Sequence, residues 1–419
     1  MMRPAPLIAP LFALLLLAPE ATAAESGMAR PAFLPPDQKI LEVLEGSPAL
    51  MEARAMLGGA QAQARMLAVG EHETTFTAAF DDRRVRGERT YGEWSLQAAR
   101  GVRMPAKAAL DRAAGEAGVK AAHNSVDDAR HQASLDLAER YLNWAEAAES
   151  RAVDAEELEV YGREVRALAR RVELQDAALL DLEQAQGAEA RARAALARSQ
   201  GAERTARAEL EARYPGLAPD AAPLTPAPAA PARPLAEWSD LIVQRSHEVV
   251  IARALADRER FLARRFSQDR VPDPVIGVRT FSERGGEESG VGVFISAPFG
   301  GARRSAAADQ QSALASAAEA RYAMTAREVR ATAHSDVIAA SAALDAWRDA
   351  ALALGAAQQA SRRVSRAYEL GERDLSDRLL AERQTYEARR IELAARSVAH
   401  RALLKLALDA HELWLADED

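Results

Sequence analysis

Val291-Gly292-Val293-Phe294-Ile295-Ser296-Ala297-Pro298-Phe299-Gly300-Gly301-Ala302-Arg303-Arg304 carries two textures in fourteen residues. Val291, Val293 and Ile295 alternate with Gly292 and Ser296, the period-two pattern of a strand with one apolar face. Proline and paired glycine then break the pattern. An alanine- and arginine-rich run begins immediately after, and no proline occurs from Phe299 to the end of the chain. The stretch predicts a strand feeding directly into a very long helix, since proline in a helix interior costs about 3 kcal/mol and a proline-free window permits helix throughout.

Working backwards, Ile276 and Val278 alternate with Gly277 and Arg279, and Glu283–Gly290, with Gly285-Gly286, reads as the loop of a hairpin. Strands of about ten residues with one apolar face suit a tilted transmembrane β-strand. A lipid-facing arginine at mid-bilayer would cost about 2–4 kcal/mol, but Arg279 falls on the face opposite Ile276 and Val278. Earlier in the chain, Phe76, Ala78 and Phe80, then Trp94, Leu96 and Ala98, repeat the pattern around a polar loop from Asp81 to Thr90. Tyr91 and Trp94 are the candidates for an interfacial aromatic girdle.

A second proline-free window runs from Ala106 to Tyr214. Within it Leu158, Tyr161, Val165, Leu168 and Val172 fall at three- and four-residue steps, a coiled-coil seam. A helix from about Ala106 to Leu174 would reach on the order of 100 Å at 1.5 Å per residue. Between the windows, Pro215–Pro234 holds seven prolines among alanines and reads as an extended linker with polyproline character.

The halves on either side of it correspond. Ser47-Pro48-Ala49-Leu50-Met51-Glu52-Ala53-Arg54-Ala55 parallels Ser246-His247-Glu248-Val249-Val250-Ile251-Ala252-Arg253-Ala254 at an offset of 199. Val172-Glu173-Leu174-Gln175, with Leu179 and Asp181, parallels Tyr368-Glu369-Leu370-Gly371, with Leu375 and Asp377, at an offset of 196.

Composition narrows the function. The 419 residues hold no cysteine, which excludes disulfides, thiolate metal sites and an anchor on an N-terminal cysteine. Aromatics make up 5% and charged residues 28%, a balance that suits long packed helices. A net charge of −8 argues against nucleic acid as a partner. Arg3, the apolar Leu7–Leu17 and the small Ala21-Thr22-Ala23 have the layout of a secretory signal peptide. No later run of about 18 apolar residues exists, so a membrane span would have to be β. No two of the seven histidines are spaced i, i+3 or i, i+4, so no helical metal motif and no cofactor is expected. No nucleophile elbow or phosphate loop appears either, and an enzyme is not expected.

In order and motif, these residues resemble the TolC-type outer-membrane efflux channels. The Val291–Arg304 stretch is similar to the family's strand ending in Pro-hydrophobic-Gly-Gly before a helix. Tyr368-Glu369-Leu370-Gly371-Glu372-Arg373-Asp374-Leu375-Ser376-Asp377 is similar to its tyrosine-x-x-glycine tip. In the first half, Gly101-Val102-Arg103-Met104-Pro105-Ala106-Lys107 lacks the double glycine.

The resemblance covers essentially the whole mature chain, with a length nearest the heavy-metal efflux, CzcC-like branch. It implies a mainly α fold with a small β part. Three protomers would join long antiparallel helices into a tunnel and four strands each into one twelve-stranded barrel. Residues 1–23 would be the signal peptide and 24–214 a first repeat with a hairpin near 74–104. Residues 215–235 would link it to a second repeat, 236–419, with a hairpin near 274–299.

Implied partners are two further copies, a periplasmic adaptor, an inner-membrane pump of the RND type and outer-membrane lipid. The location would be the outer membrane, with the tunnel in the periplasm. Implied periplasmic gate residues are Asp181, Tyr368, Arg373 and Asp377. Pro298, Gly300 and Gly301 make the strand-to-helix turn. Leu380 stands where some members carry an acidic ring. A soluble periplasmic coiled-coil adaptor or scaffold, and a type I secretion duct, are the alternatives.

Overall fold

The computed structural model describes residues 30–219, 222–299 and 301–414. The expected signal peptide, residues 1–23, and Gly300 lie outside the described residues. Helices α1 (Asp37–Glu45) and α2 (Pro48–Val69) lead to strands β1 (Thr74–Arg84) and β2 (Thr90–Gly101). Next come the long α3 (Pro105–Glu173) and the returning α4 (Leu179–Arg213). The order then recurs as α5 (Leu235–Arg245), α6 (His247–Gln268), β3 (Val275–Glu283), β4 (Glu288–Ser296), α7 (Ala302–Glu369) and α8 (Leu375–Asp409). Matching elements match in length: α3 has 69 residues and α7 has 68, while α4 and α8 have 35 each. At 1.5 Å per residue the long helices extend about 100 Å.

Local chemistry repeats with the elements. Ser47 caps α2 by accepting from the Leu50 N–H at 3.3 Å, and Ser246 caps α6 by accepting from the Val249 N–H at 3.2 Å. Both long helices end in the same wrap. After Leu174 the chain turns left-handed at Gln175 (φ 60°), and Asp176 N–H reaches back to Arg171 O. After Leu370 it does so at Gly371 (φ 76°), and Glu372 N–H reaches back to Ala367 O. This wrap satisfies carbonyls that a helix end otherwise leaves open.

For one half of its length α3 lies between α2 and α6, and for the other between α4 and α8. Helix α7 packs on α6 and then α8, so each level holds four helices side by side. The heptad residues do what their spacing predicts. Tyr161 is buried against Ala188 and Ala192 of α4, and Leu168 against Ala185 and Leu375. Small alanines opposite large seam residues let the helices approach closely. Ion pairs run along the α3–α8 seam, from Glu146–Arg401 and Glu149–Arg396 through Arg390, which bridges Asp154 and Glu157, to Glu164–Arg378.

Near mid-length of α3 lies the largest apolar cluster. Leu137, Tyr141 and Trp144 meet Phe33, Trp238, Leu406 and Trp414 there. The segment expected as a linker is irregular but not loose. Glu149 accepts from both the N–H and the hydroxyl of Thr225 (2.7 and 2.6 Å), and Arg396 donates to Thr225 O. His400 donates to Pro226 O at 2.8 Å, and burial lowers its pKa, so the ring stays neutral near pH 7.

The four strands form one antiparallel sheet in the order β1-β2-β3-β4, which leaves β1 and β4 as edges. Both hairpin loops are shorter than their polar sequence predicts. The first spans only residues 85–89, because Asp81–Arg84 continue the ladder against Glu93, Gly92, Tyr91 and Thr90. In the second, the ladder reaches Glu283↔Glu288 around a single 3₁₀ turn, Arg284–Gly286. Charged side chains do not end a strand while partners remain for its backbone.

A buried ionic knot fastens the sheet to the helices. Lys107, in the first turn of α3, is completely buried, and its Nζ donates to Asp269 (2.7 Å), Asp273 (3.0 Å) and the Val271 carbonyl (2.8 Å). Asp273 also accepts from the Met104 N–H and meets His72 Nε2 at 3.0 Å. Asp111 joins Arg103 and Arg265 at 2.9 Å each.

Candidate functional site

Two regions stand out, one at each end. At the sheet, register places Phe76, Ala98, Val278 and Val293 in one row and Ala78, Leu96, Thr280 and Val291 in the next. Phe80 and Trp94 share a row with Ser282 and Ser289, and Ile276 and Ile295 share one with Arg100. All lie on one face. Phe76, Phe80, Val291 and Val293 are 80–84% exposed, so this apolar face has no cover from the described residues. Four rows two residues apart make a band about 20 Å long at 3.3 Å per residue. Arg100 sits in its last row, with its guanidinium bonded to the His72 carbonyl at 3.3 Å.

The other face is polar and ordered. Arg83 pairs with Glu93 at 2.9 Å, and Arg279 lies over Phe281 at 5.3 Å, on the face opposite Ile276 as its parity predicts. Two rings lie flat on cross-strand glycines. A Cβ on Gly277 would sit 2.4 Å from Phe294 Cζ, and one on Gly290 would sit 2.6 Å from Phe281 Cζ. Tyr91 belongs to this face too, which corrects its assignment to a girdle with Trp94. The two stand three positions apart, and an odd offset places them on opposite sides. Its hydroxyl donates to Glu88 at 2.7 Å, and Arg89 and Arg284 cover its ring.

No helix among the described residues is long and apolar enough to cross a membrane. Of the strand-to-helix turn, Gly301 caps α7 with extended backbone, φ −142°. A Cβ there would meet nothing within 4 Å among the described residues.

At the far end the two helical tips meet. Tyr368 accepts from Arg171 Nη1 at 3.3 Å, and the ring lies beneath Arg378 at 5.2 Å. Arg171 also donates to Asp176 through Nε (2.9 Å) and to its carbonyl through Nη2 (3.1 Å). One layer deeper, Arg378 reaches Glu164 of α3 at 3.0 Å and Glu382 of α8 at 3.2 Å. Burial raises the Glu382 carboxyl above its ordinary pKa even though Arg378 opposes it.

The predicted tip residues are therefore partly assembled. Tyr368 links the two tips, while Arg373 pairs at 3.2 Å with Asp377 on its own helix turn and both are exposed. Asp181 stands in the first turn of α4, where the helix dipole favours it, and no side-chain bond engages it among the described residues. Arg171 and Arg378, which bracket Tyr368, carry no periodic signal that marks them in the sequence. Lys107 and Asp273 are equally silent there.

No known family model matches the chain, and no curated protein sequence does. Solved structures do. The outer membrane protein VceC from Vibrio cholerae is 19% identical, with a TM-score of 0.69, over 89% of this chain and 95% of that one. A membrane protein from Pseudomonas aeruginosa is 15% identical with a TM-score of 0.74, over 90% and 91%. The Campylobacter jejuni CmeC outer membrane channel is 13% identical with a TM-score of 0.71, over 91% and 87%. Over about nine-tenths of its length, this chain has the fold of outer-membrane channel proteins.

Proposed function

We propose that the chain is the subunit of an outer-membrane exit duct, a passive channel rather than an enzyme. The carrying observation is the sheet. It has one exposed apolar face, one polar face and two unpaired edges, and it stands on helices about 100 Å long. An open edge in lipid leaves backbone groups unsatisfied, so four strands require further copies to close. Three copies give twelve strands, with the apolar face toward outer-membrane lipid and Arg279 toward the lumen. The helices would then form the periplasmic tunnel.

In this reading the paired tips are the gate. Tyr368, Arg373, Asp377 and Asp181 close the entrance, and bonds of about 1 kcal/mol each, repeated threefold, yield to a partner. That partner would be a periplasmic adaptor coupled to an inner-membrane pump of the RND type, with heavy-metal cations as the cargo class suggested by length.

Purified protein should migrate as a heat-modifiable trimer, be recovered in the outer-membrane fraction and conduct in planar bilayers. Tyr368→Phe with Arg373→Ser should raise closed-state conductance. Unchanged conductance refutes the gate, and recovery in the soluble periplasmic fraction refutes the duct.

A further inference from the structure

Far from both ends, beside the apolar cluster at mid-length, three histidines distant in sequence come together. His247 stacks on His411 at 4.4 Å with planes 20° apart, and His131 meets His411 edge-on at 5.7 Å. His131 is 5% exposed, and its two nitrogens differ. Nε2 lies 2.9 Å from Asp409 Oδ1, and Asp409 also takes the Lys405 ammonium. Paired with that ammonium, Asp409 is the acceptor and Nε2 donates to it. Nδ1 is left buried with no partner among the described residues.

Asp128 and Glu248 stand beside it. Asp128 precedes His131 by one helical turn on α3, and Glu248 sits in the first turn of α6, where one of its oxygens accepts from the Ser246 hydroxyl at 2.6 Å. One donor atom from each of the three residues can be chosen so that all lie within 4.8 Å of one another. A tetrahedral shell with bonds near 2.0–2.2 Å needs donors about 3.4 Å apart, so closure takes little more than side-chain rotation.

We propose that Asp128, His131 and Glu248 form a site for one divalent transition cation of the zinc class per chain. The site ties α3 of the first half to the start of α6 in the second. Imidazole with two carboxylates is a borderline donor set, suited to zinc or cobalt and not to magnesium or calcium. Asp409 acts as the outer carboxylate that fixes the ring and its tautomer. A cavity of about 300 Å³ bordered by His131, Glu248, Asp336 and Asp409 supplies access and room for a water as fourth ligand. The proposal does not depend on the channel reading.

The test uses the full-length protein in detergent, stripped with a chelator and titrated with zinc chloride by calorimetry. Cobalt(II) absorption reports geometry. Expected results are one zinc per chain, a tetrahedral cobalt spectrum and a raised unfolding temperature with zinc. Affinity should fall at least tenfold in Glu248→Gln and in Asp128→Asn. Both positions are half-buried, so near-native far-UV dichroism should confirm folding even where His131→Gln fails to fold.

Asp127, Asp409, Lys405 and Arg130 are the charged neighbours, and the two carboxylate variants isolate the ligands from this background. Absence of binding at millimolar zinc overturns the proposal. So does undiminished binding in both variants, or equal binding of magnesium.

Discussion

Replacing Lys107 by methionine keeps most of its volume and removes only the charge. That ammonium has no exposed surface and holds three acceptors, Asp269, Asp273 and the Val271 carbonyl. Removing one partner of a buried ion pair costs about 3–5 kcal/mol, because the other charge stays buried without compensation. Here the lower end of that range applies. Asp269 keeps Arg265 at 2.8 Å, while Asp273 keeps His72 and the Met104 N–H.

The pH dependence carries the sign. Burial would raise both carboxyls, but Lys107 with Arg265 holds Asp269 low, and His72 with Lys107 holds Asp273 low. A carboxyl depressed in the folded state contributes stability above its unfolded pKa and loses it as pH falls through the folded value. The deficit of K107M is therefore full at neutral pH and shrinks in acid, where Asp273 can take a proton. Urea midpoints read by far-UV dichroism at neutral and acid pH measure this. Adding Asp273→Asn should restore part of the loss, since the two residues are coupled. A deficit under about 1 kcal/mol, or an equal deficit at both pH values, would show that the knot does not fasten the sheet to α3.

Two further outcomes follow from backbone and packing. Gly277→Ala drives a Cβ into Phe294 and within 2.8 Å of the Ala98 carbonyl. It should cost about 1–3 kcal/mol and lower the temperature at which the proposed trimer dissociates on gels; migration identical to wild type sinks the packing argument. The left-handed tip positions predict opposite signs. Gln175→Gly should stabilise by up to about 1 kcal/mol, and Gly371→Ala should destabilise by about as much although its Cβ meets open space; equal midpoints would mean that the tips relax.

Strand and helix were legible because each has a period. Phe76, Val278 and Val293 announced a two-residue repeat, and the structure sets them in one row. Leu158 to Leu168 announced a seven-residue seam and pack as one. Loop ends were less legible, since Asp81–Arg84 look like a turn by composition yet continue the ladder. Tyr91 shows the same rule misapplied, because parity with Trp94 already placed it on the other face. At the tips, motif correspondence found Tyr368 but not Arg171, which comes from the other half of the chain.

By itself the sequence determined the long helices, the strands, the two-copy order and the absence of any thiol chemistry. These follow from local preference and spacing, which act over a few residues. Tertiary structure alone decided what lies between distant segments. It placed Lys107 on Asp273, threaded Thr225 onto Glu149, and gathered His131, His247 and His411 from three distant segments of the chain. No spacing rule reaches across 76 residues or more. Such contacts are fixed only when helices about 100 Å long are laid side by side in one register.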